Sequence, residues 1–172
     1  MTIGLLAVRA AVGIALVGQA GGKLSRDGRV TTRAYFRSIG FEPAGPLALL
    51  TGLVELGAGM LLLSGLATPL AAAAGIGVLV NASAVNAASG WASSGGGAEY
   101  PVVLGLVTAG LAFTGPGGAS LDALLGWDHV SVAVAIGTLS VGLAAATPFL
   151  AMRLALVRRA RAGAGTVPAA AA

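Results

Sequence analysis

The sequence predicts an all-α membrane protein, a polytopic helix bundle with a four-helix core and a fifth transmembrane helix. The chain has 172 residues, of which 56% are hydrophobic and only 9% are charged. A soluble domain carries about 25% charged residues. The apolar residues also fall into five long segments, and the connections between these segments hold most of the charges. Such a chain has too little polar surface to solvate a globule, so a bilayer is the expected environment.

The five apolar segments are the predicted transmembrane helices, because about 20 residues at roughly 1.5 Å rise cross a hydrocarbon core of ~30 Å. Their approximate bounds are Ile3–Gly22, Ala44–Leu66, Leu70–Ala88, Tyr100–Thr114 and Val130–Met152. Thr68 and Pro69 predict a tight connection between the second and third helices, since proline is tolerated in a helix's first turn. The fourth segment is short and stops at a glycine-rich run. The first also has features of a secretory signal peptide, so cleavage of residues 1–22 is an open alternative.

The distribution of basic residues predicts the orientation. Two clusters flank the membrane segments: Lys23, Arg26, Arg29, Arg33 and Arg37 before the second helix, and Arg153, Arg158, Arg159 and Arg161 after the fifth. The loop at 115–129 has no Lys or Arg and carries Asp122 and Asp128. Cytoplasmic loops are enriched in Lys and Arg. Five helices place both clusters on the cytoplasmic side, so we expect a multi-pass protein of a bacterial plasma membrane with a cytoplasmic carboxyl terminus.

We therefore divide the chain into three parts: a membrane core of four helices (1–126), a fifth transmembrane helix (127–157) and a basic, disordered cytoplasmic tail (158–172). Within the core, Arg29, Arg33 and Arg37 recur every four residues. If 30–39 is helical, they form one stripe, as expected of an interfacial helix on an anionic leaflet. A docking face for a soluble partner is the alternative.

Composition excludes several classes of function. The pI is near 10.7, but the Lys and Arg residues flank membrane segments and form no basic groove with interleaved aromatics, so no nucleic acid is expected. The absence of cysteine excludes dithiol chemistry and iron–sulfur ligation. The single His129 cannot supply two axial haem ligands, and no metal-ligand spacing occurs. We expect no metal and no covalently bound cofactor, and the sequence leaves open whether the protein is an enzyme.

Glu55 is the first candidate for a functional site, because it is the only charge in Ala44–Leu66. A carboxylate at this depth costs ~2.5–3.5 kcal/mol even on a lenient insertion scale. The small residues Gly52 and Gly59 share its helix face, so Glu55 is expected to point into the bundle with room beside it. Arg9 in the first helix lies at a depth its side chain can span, which predicts an Arg9–Glu55 pair. Whether such a pair is structural or holds a ligand stays open.

Five further polar residues are candidates for ligand binding or ion pairing. Lys23 could bind a lipid phosphate, an anionic ligand or Glu99, or extend its ammonium to the interface. Gln19 lies four residues earlier, on the same face. Asn86 belongs to a polar stripe with Ser83 and Ser89, whereas Asn81 lies on a different face. Residues of this kind usually form hydrogen bonds between helices, and a solute path is the alternative.

Several stretches of the chain resemble the DoxX family of small membrane proteins, over roughly residues 3–125. They are Gly18–Leu24, Ala34–Phe41, Leu53–Ala71, Glu99–Tyr100 and Thr114–Asp122. Many members have His where Gln19 stands, so the resemblance does not extend a proton-carrying role to this position. The fifth helix also exceeds the family's usual four-helix unit.

The resemblance implies a membrane component of a redox or oxidative-stress assembly, because members include subunits associated with quinone-linked sulfur oxidation and with oxidative-stress defence. It implies a quinone as the associated cofactor. The expected partners are membrane lipids, redox partner proteins and a second copy of the chain. Two other functions remain open, a small-solute or lipid transporter and a structural subunit or assembly factor without its own activity.

Overall fold

The structure, a computed structural model, describes residues 2–164, and these residues form an all-helical bundle. The helices are α1 (Thr2–Leu24), α2 (Arg26–Ser38), α3 (Ala44–Ser64), α4 (Thr68–Asn86), α5 (Glu99–Thr114), α6 (Leu121–Leu124) and α7 (Val132–Ala164). Two short 3-10 turns, Ala87–Ser89 and Ser93–Gly95, lie between α4 and α5. The predicted all-α membrane helix bundle is confirmed.

Four helices, α1, α3, α4 and α7, are long and apolar enough to cross a membrane. The short fourth apolar segment is α5, whose 16 residues extend about 24 Å at the usual helical rise. Helix α7 continues past residue 157 to Ala164. The remainder of the predicted tail, residues 165–172, lies outside the described residues. Large apolar side chains such as Ile14, Leu106 and Leu143 are exposed on the outside of the bundle, as expected for a surface that faces lipid tails.

The turn between α3 and α4 has the tight form that the sequence predicts. Gly65 ends α3 in the left-handed conformation at φ +66°, and its N–H bonds the last turn of the helix. Glycine adopts this conformation without the steric cost that a Cβ brings. Helix α4 then begins at Thr68, with Pro69 in its first turn. The chain therefore reverses within a few residues and packs α4 beside α3.

Helices α1 and α3 pack at close range through glycines. A Cβ added to Gly59 would lie 2.8 Å from Val17 Cγ2 and 2.9 Å from the Gly13 carbonyl oxygen, and one added to Gly52 would lie 2.9 Å from Leu24 Cδ2. The expectation that Gly52 and Gly59 leave room beside Glu55 is therefore wrong. Helix α1 itself fills that space, because small residues allow helix backbones to approach closely.

Two apolar clusters hold the other elements. The larger one joins α1, α3, α4 and α5 through buried residues that include Val12, Leu62, Leu79 and Leu111. The smaller one joins α2 and the start of α3 to α7, and its members include Phe36, Phe41, Ala44, Ala48 and Phe149. Its rings pack at centroid distances of 5.6 Å for Phe36–Phe41 and 6.2 Å for Phe41–Phe149. These contacts fix α2 across the end of the bundle, next to the site described below.

The α1–α3 contact predicts opposite results for two glycines on one helix. Gly59→Ala introduces a Cβ against Val17 and the Gly13 carbonyl, and overpacking of this kind costs about 1–3 kcal/mol. Gly57→Ala is the matched control, because no atom lies within 4 Å of its added Cβ. Thermal unfolding of the purified protein in detergent should show a loss of stability for Gly59→Ala and none for Gly57→Ala. Equal effects would show that α1 does not approach α3 at Gly59.

Candidate functional site

A buried ion pair joins α1 to α3. The Lys23 ammonium, in the last turn of α1, donates hydrogen bonds to both carboxylate oxygens of Glu55 at 2.7 Å. Glu55 is 2% exposed and the Lys23 side chain 23%. Gly52 lies one turn before Glu55 and allows α1 to come this close, since a Cβ there would be 3.4 Å from Lys23 Cβ. The pair compensates a charge that would otherwise be unpaired in apolar surroundings.

The predicted Arg9–Glu55 pair is wrong, because the register of α1 against α3 separates the two residues. The helices run in opposite directions, and Gly59 packs against Val17. Glu55 lies one turn closer to the start of α3, so it is level with the part of α1 that follows Val17. Lys23 belongs to that part of α1, and Arg9 lies toward the other end of the helix.

Arg9 instead anchors the loop that follows α5. Its guanidinium is 1% exposed and donates hydrogen bonds to the backbone carbonyls of Pro116 and Ala119. Asp122 is close enough to attract its charge. Gly65 also belongs to this contact, because a Cβ there would lie 2.7 Å from Arg9 Cζ. We call Arg9, Pro116, Ala119 and Asp122 the arginine site.

Asp122 holds the other side of the arginine site. Its two carboxylate oxygens accept hydrogen bonds from the N–H groups of Ala67 at 2.7 Å and Thr68 at 2.9 Å. Its own N–H donates to the Gly65 carbonyl at 2.8 Å. The carboxylate therefore satisfies free donors at the start of α4, where negative charge is favourable. This role of Asp122 was not predicted from the sequence. The one sequence feature that could have indicated it is the position of Asp122 at the end of the family-like stretch Thr114–Asp122.

A cavity of about 440 Å³ lies beside the Lys23–Glu55 pair. Residues of α1, α2, α3, α4 and α7 line it, and most of them are apolar. Its polar lining residues are Gln19, Lys23, Tyr35, Thr51, Glu55, Asn81 and Asn86. The cavity therefore brings together five of the residues that the sequence singles out as candidates. Of the other two, Arg9 belongs to the arginine site, and Glu99 accepts a hydrogen bond from the Ser93 N–H at 3.0 Å.

The polar residues in and near the cavity differ in their hydrogen-bond partners. Asn81 donates to the Gly77 carbonyl at 3.0 Å, while its buried Oδ1 has no partner. Ser83 donates to the Leu79 carbonyl of its own helix at 2.7 Å, so this hydroxyl does not bond between helices. Gln19 donates to the Tyr100 hydroxyl of α5 at 3.3 Å. Asn81 Oδ1 thus stays unsatisfied among the described residues.

Comparison with protein families identifies the region that carries this site. Residues 4–87 match the DoxX family model. This stretch of the chain is similar to a DoxX domain. The matched region is slightly less than half of the chain and includes α1 to α4, with Lys23, Glu55, Asn81 and Asn86. It confirms the family resemblance, although the family-like stretch Thr114–Asp122 lies beyond it. No curated protein and no solved structure matches the chain.

The cavity offers binding groups for a polar head with an apolar body. An ammonium has three N–H donors, and two of those of Lys23 bond Glu55, which leaves one for a ligand. Within residues 2–164, no group of three or more His, Asp or Glu side chains could hold a metal ion. The site is therefore suited to an uncharged oxygen-bearing group next to an apolar ring or chain.

A double-mutant cycle tests the pairing. Lys23→Met leaves a buried carboxylate without its partner, and breaking a buried pair typically costs ~3–5 kcal/mol. The double variant Lys23→Met with Glu55→Leu should recover much of this loss. The control cycle combines Arg9→Met with Glu55→Leu, whose effects should add within ~0.5 kcal/mol because the residues do not meet. Unfolding in detergent measures both cycles, and coupling in the Arg9 cycle alone would contradict the structure.

Proposed function

We propose that this protein is a membrane component of a redox or oxidative-stress assembly and holds the head group of a quinone in the cavity. The observation that carries the proposal is the Lys23–Glu55 pair, which forms a charged wall in a cavity lined mostly by apolar residues. The volume of about 440 Å³ falls within the roughly 300–1,000 Å³ of small-molecule sites. Intramembrane ionisable residues commonly mark such sites.

The charged wall of the cavity offers a donor to the head group of a quinone. The free N–H of Lys23 is suited to a quinone carbonyl. Leu50, Val54 and Phe149 line the cavity and would contact the ring and the start of the tail. A bound quinone would supply the redox chemistry. Since the chain has no cysteine, we propose that a partner protein supplies or accepts the electrons.

The contrast with the arginine site favours binding over a purely structural role for the Lys23–Glu55 pair. Arg9 bonds backbone carbonyls of a loop, and Asp122 bonds the start of α4. Neither residue lines the cavity. Lys23 and Glu55 both line it, and Lys23 keeps a donor that the described residues do not use. If the pair only stabilises helix packing, the following test would favour the other function, a structural subunit without its own ligand.

We also propose the orientation that the basic clusters favour, in a bacterial plasma membrane. The α1–α3 connection and the end of α7 then lie on the cytoplasmic side. The cavity lies in the same half of the bundle, since Lys23 is in the last turn of α1. A quinone head group would then be held near the cytoplasmic surface, where a soluble redox partner could approach.

Removing the charge of Glu55 should lower quinone retention. Glu55→Gln keeps the shape and one acceptor oxygen, but it loses the charge and the second acceptor that hold the Lys23 ammonium, and a hydrogen bond to a charged group contributes about 1.5–3 kcal/mol. Retention should therefore fall about tenfold or more. Glu42→Gln is the matched control, because Glu42 lies on the α2–α3 connection and does not line the cavity. The measurement is mass spectrometry of quinones extracted from the purified proteins.

The comparison requires variants of matched thermal stability in the same detergent. Unchanged retention in Glu55→Gln would contradict the proposal. So would quinone loss that is equal in Glu55→Gln and Glu42→Gln, because it would reflect purification and not the cavity.

A further inference from the structure

A second charged surface lies outside the cavity, on α2. Its members are exposed arginines that fall on one side of the helix: Arg26, Arg29, Arg33 and Arg37. A neighbouring side of the helix is fixed to the bundle, because Phe36, seven residues after Arg29, is buried against Phe41 and the start of α3. Ser25 begins the helix by accepting a hydrogen bond from the Gly28 N–H at 3.1 Å. The arginine side therefore has a fixed direction beside this contact, with its side chains exposed.

Arg29 and Arg33 are the two central members of this surface. The Nε of Arg29 donates to the Leu24 carbonyl at 3.0 Å, which aims its guanidinium and leaves its two terminal nitrogens available. Arg37 is 3.3 Å from Glu42. The hydrogen bond from the Ala44 N–H, together with Arg37, holds the pKa of Glu42 below its ordinary value. Glu42 thus stays ionised and partly neutralises Arg37, whereas among the described residues Arg29 and Arg33 have no carboxylate within salt-bridge distance.

The position of α2 in the chain sets its depth. It joins α1 and α3, two helices that can cross a membrane, so it lies at the level where both leave the hydrocarbon. Val30 is 72% exposed beside the arginines. Exposed apolar side chains next to basic ones are typical of helices at the membrane surface. Lipid phosphates occupy this level.

We infer that the Arg29–Arg33 side of α2 binds the phosphate of an anionic phospholipid. Guanidinium groups form paired, charge-assisted hydrogen bonds with phosphate oxygens, and two of them one helical turn apart can share one head group. The inference does not depend on what occupies the cavity. An acidic soluble protein is less suited to this surface, because the exposed apolar side chain of Val30 offers no group that binds a carboxylate.

The test uses the full-length protein in detergent, with phosphatidylglycerol and phosphatidylcholine as probes. Native mass spectrometry measures the binding of each lipid. Each arginine near a membrane surface raises the affinity for an anionic lipid roughly fivefold. Arg29→Gln with Arg33→Gln should therefore weaken phosphatidylglycerol binding roughly 30-fold. Phosphatidylcholine binding should be weaker from the start and change little. Thermal unfolding without added lipid checks that the variant keeps its fold.

The matched control removes two charges from α7, through Arg153→Gln with Arg158→Gln. Both residues lie at the same end of the bundle, since α7 packs against the end of α2 through Leu156 and Gly40. This control should keep most of the phosphatidylglycerol binding. An equal loss in both double variants would assign binding to overall charge and overturn the inference. Tighter binding of a soluble polyglutamate peptide than of phosphatidylglycerol would assign the surface to an acidic protein and also overturn it.

Discussion

The ionic contact between Lys23 and Glu55 is the interaction on which the arrangement of this bundle depends. A carboxylate that is 2% exposed in an apolar helix is costly unless a charge of opposite sign and hydrogen bonds compensate it. Lys23 does both, with its ammonium 2.7 Å from each oxygen. To reach this position, α1 must end beside the middle of α3. The glycines at 52 and 59 make that approach sterically possible.

At the opposite end of the bundle, the buried charges form hydrogen bonds with backbone groups. Arg9 and Asp122 in this way connect the 115–122 loop to α1 and to the start of α4. These bonds close that end and fix the short α5 beside its neighbours. The Lys23–Glu55 end borders a cavity and keeps an unused donor on Lys23. Both charged centres stabilise the fold, and we propose that the Lys23–Glu55 centre also binds a ligand.

Much of the helical architecture could be predicted from sequence, because each apolar segment is long and is bounded by charge, glycine or proline. The site residues Gln19, Lys23, Glu55, Asn81 and Asn86 also stand out individually, since polar groups are rare in these segments. Their partners could not be predicted in the same way. Counting residues from the end of each helix gives depths that favour Arg9 as the partner of Glu55. The observed register of α1 against α3 instead follows from the packing of Gly59 against Val17.

The lining of the cavity and the role of Asp122 depend on contacts between segments that are distant in the sequence. Asn81 and Asn86 lie on different faces of α4 by spacing, yet both line the cavity because it is wide enough to border both faces. Its walls include Tyr35 from α2 and Phe149 from α7, and no local pattern places these helices beside α4. The role of Asp122 likewise depends on a loop that folds back over more than fifty residues to the α3–α4 turn.

Infrared spectroscopy of the Glu55 carboxyl group tests the central claim most directly, because it distinguishes a carboxylate from a carboxylic acid. If Lys23 compensates Glu55, the wild-type protein should show no carboxylic acid band from Glu55. Lys23→Met should produce such a band, and Lys23→Met with Glu55→Gln should lack it. A carboxylic acid band already present in the wild type, absent from Glu55→Gln and unchanged by Lys23→Met, would show that the two residues do not form an ion pair.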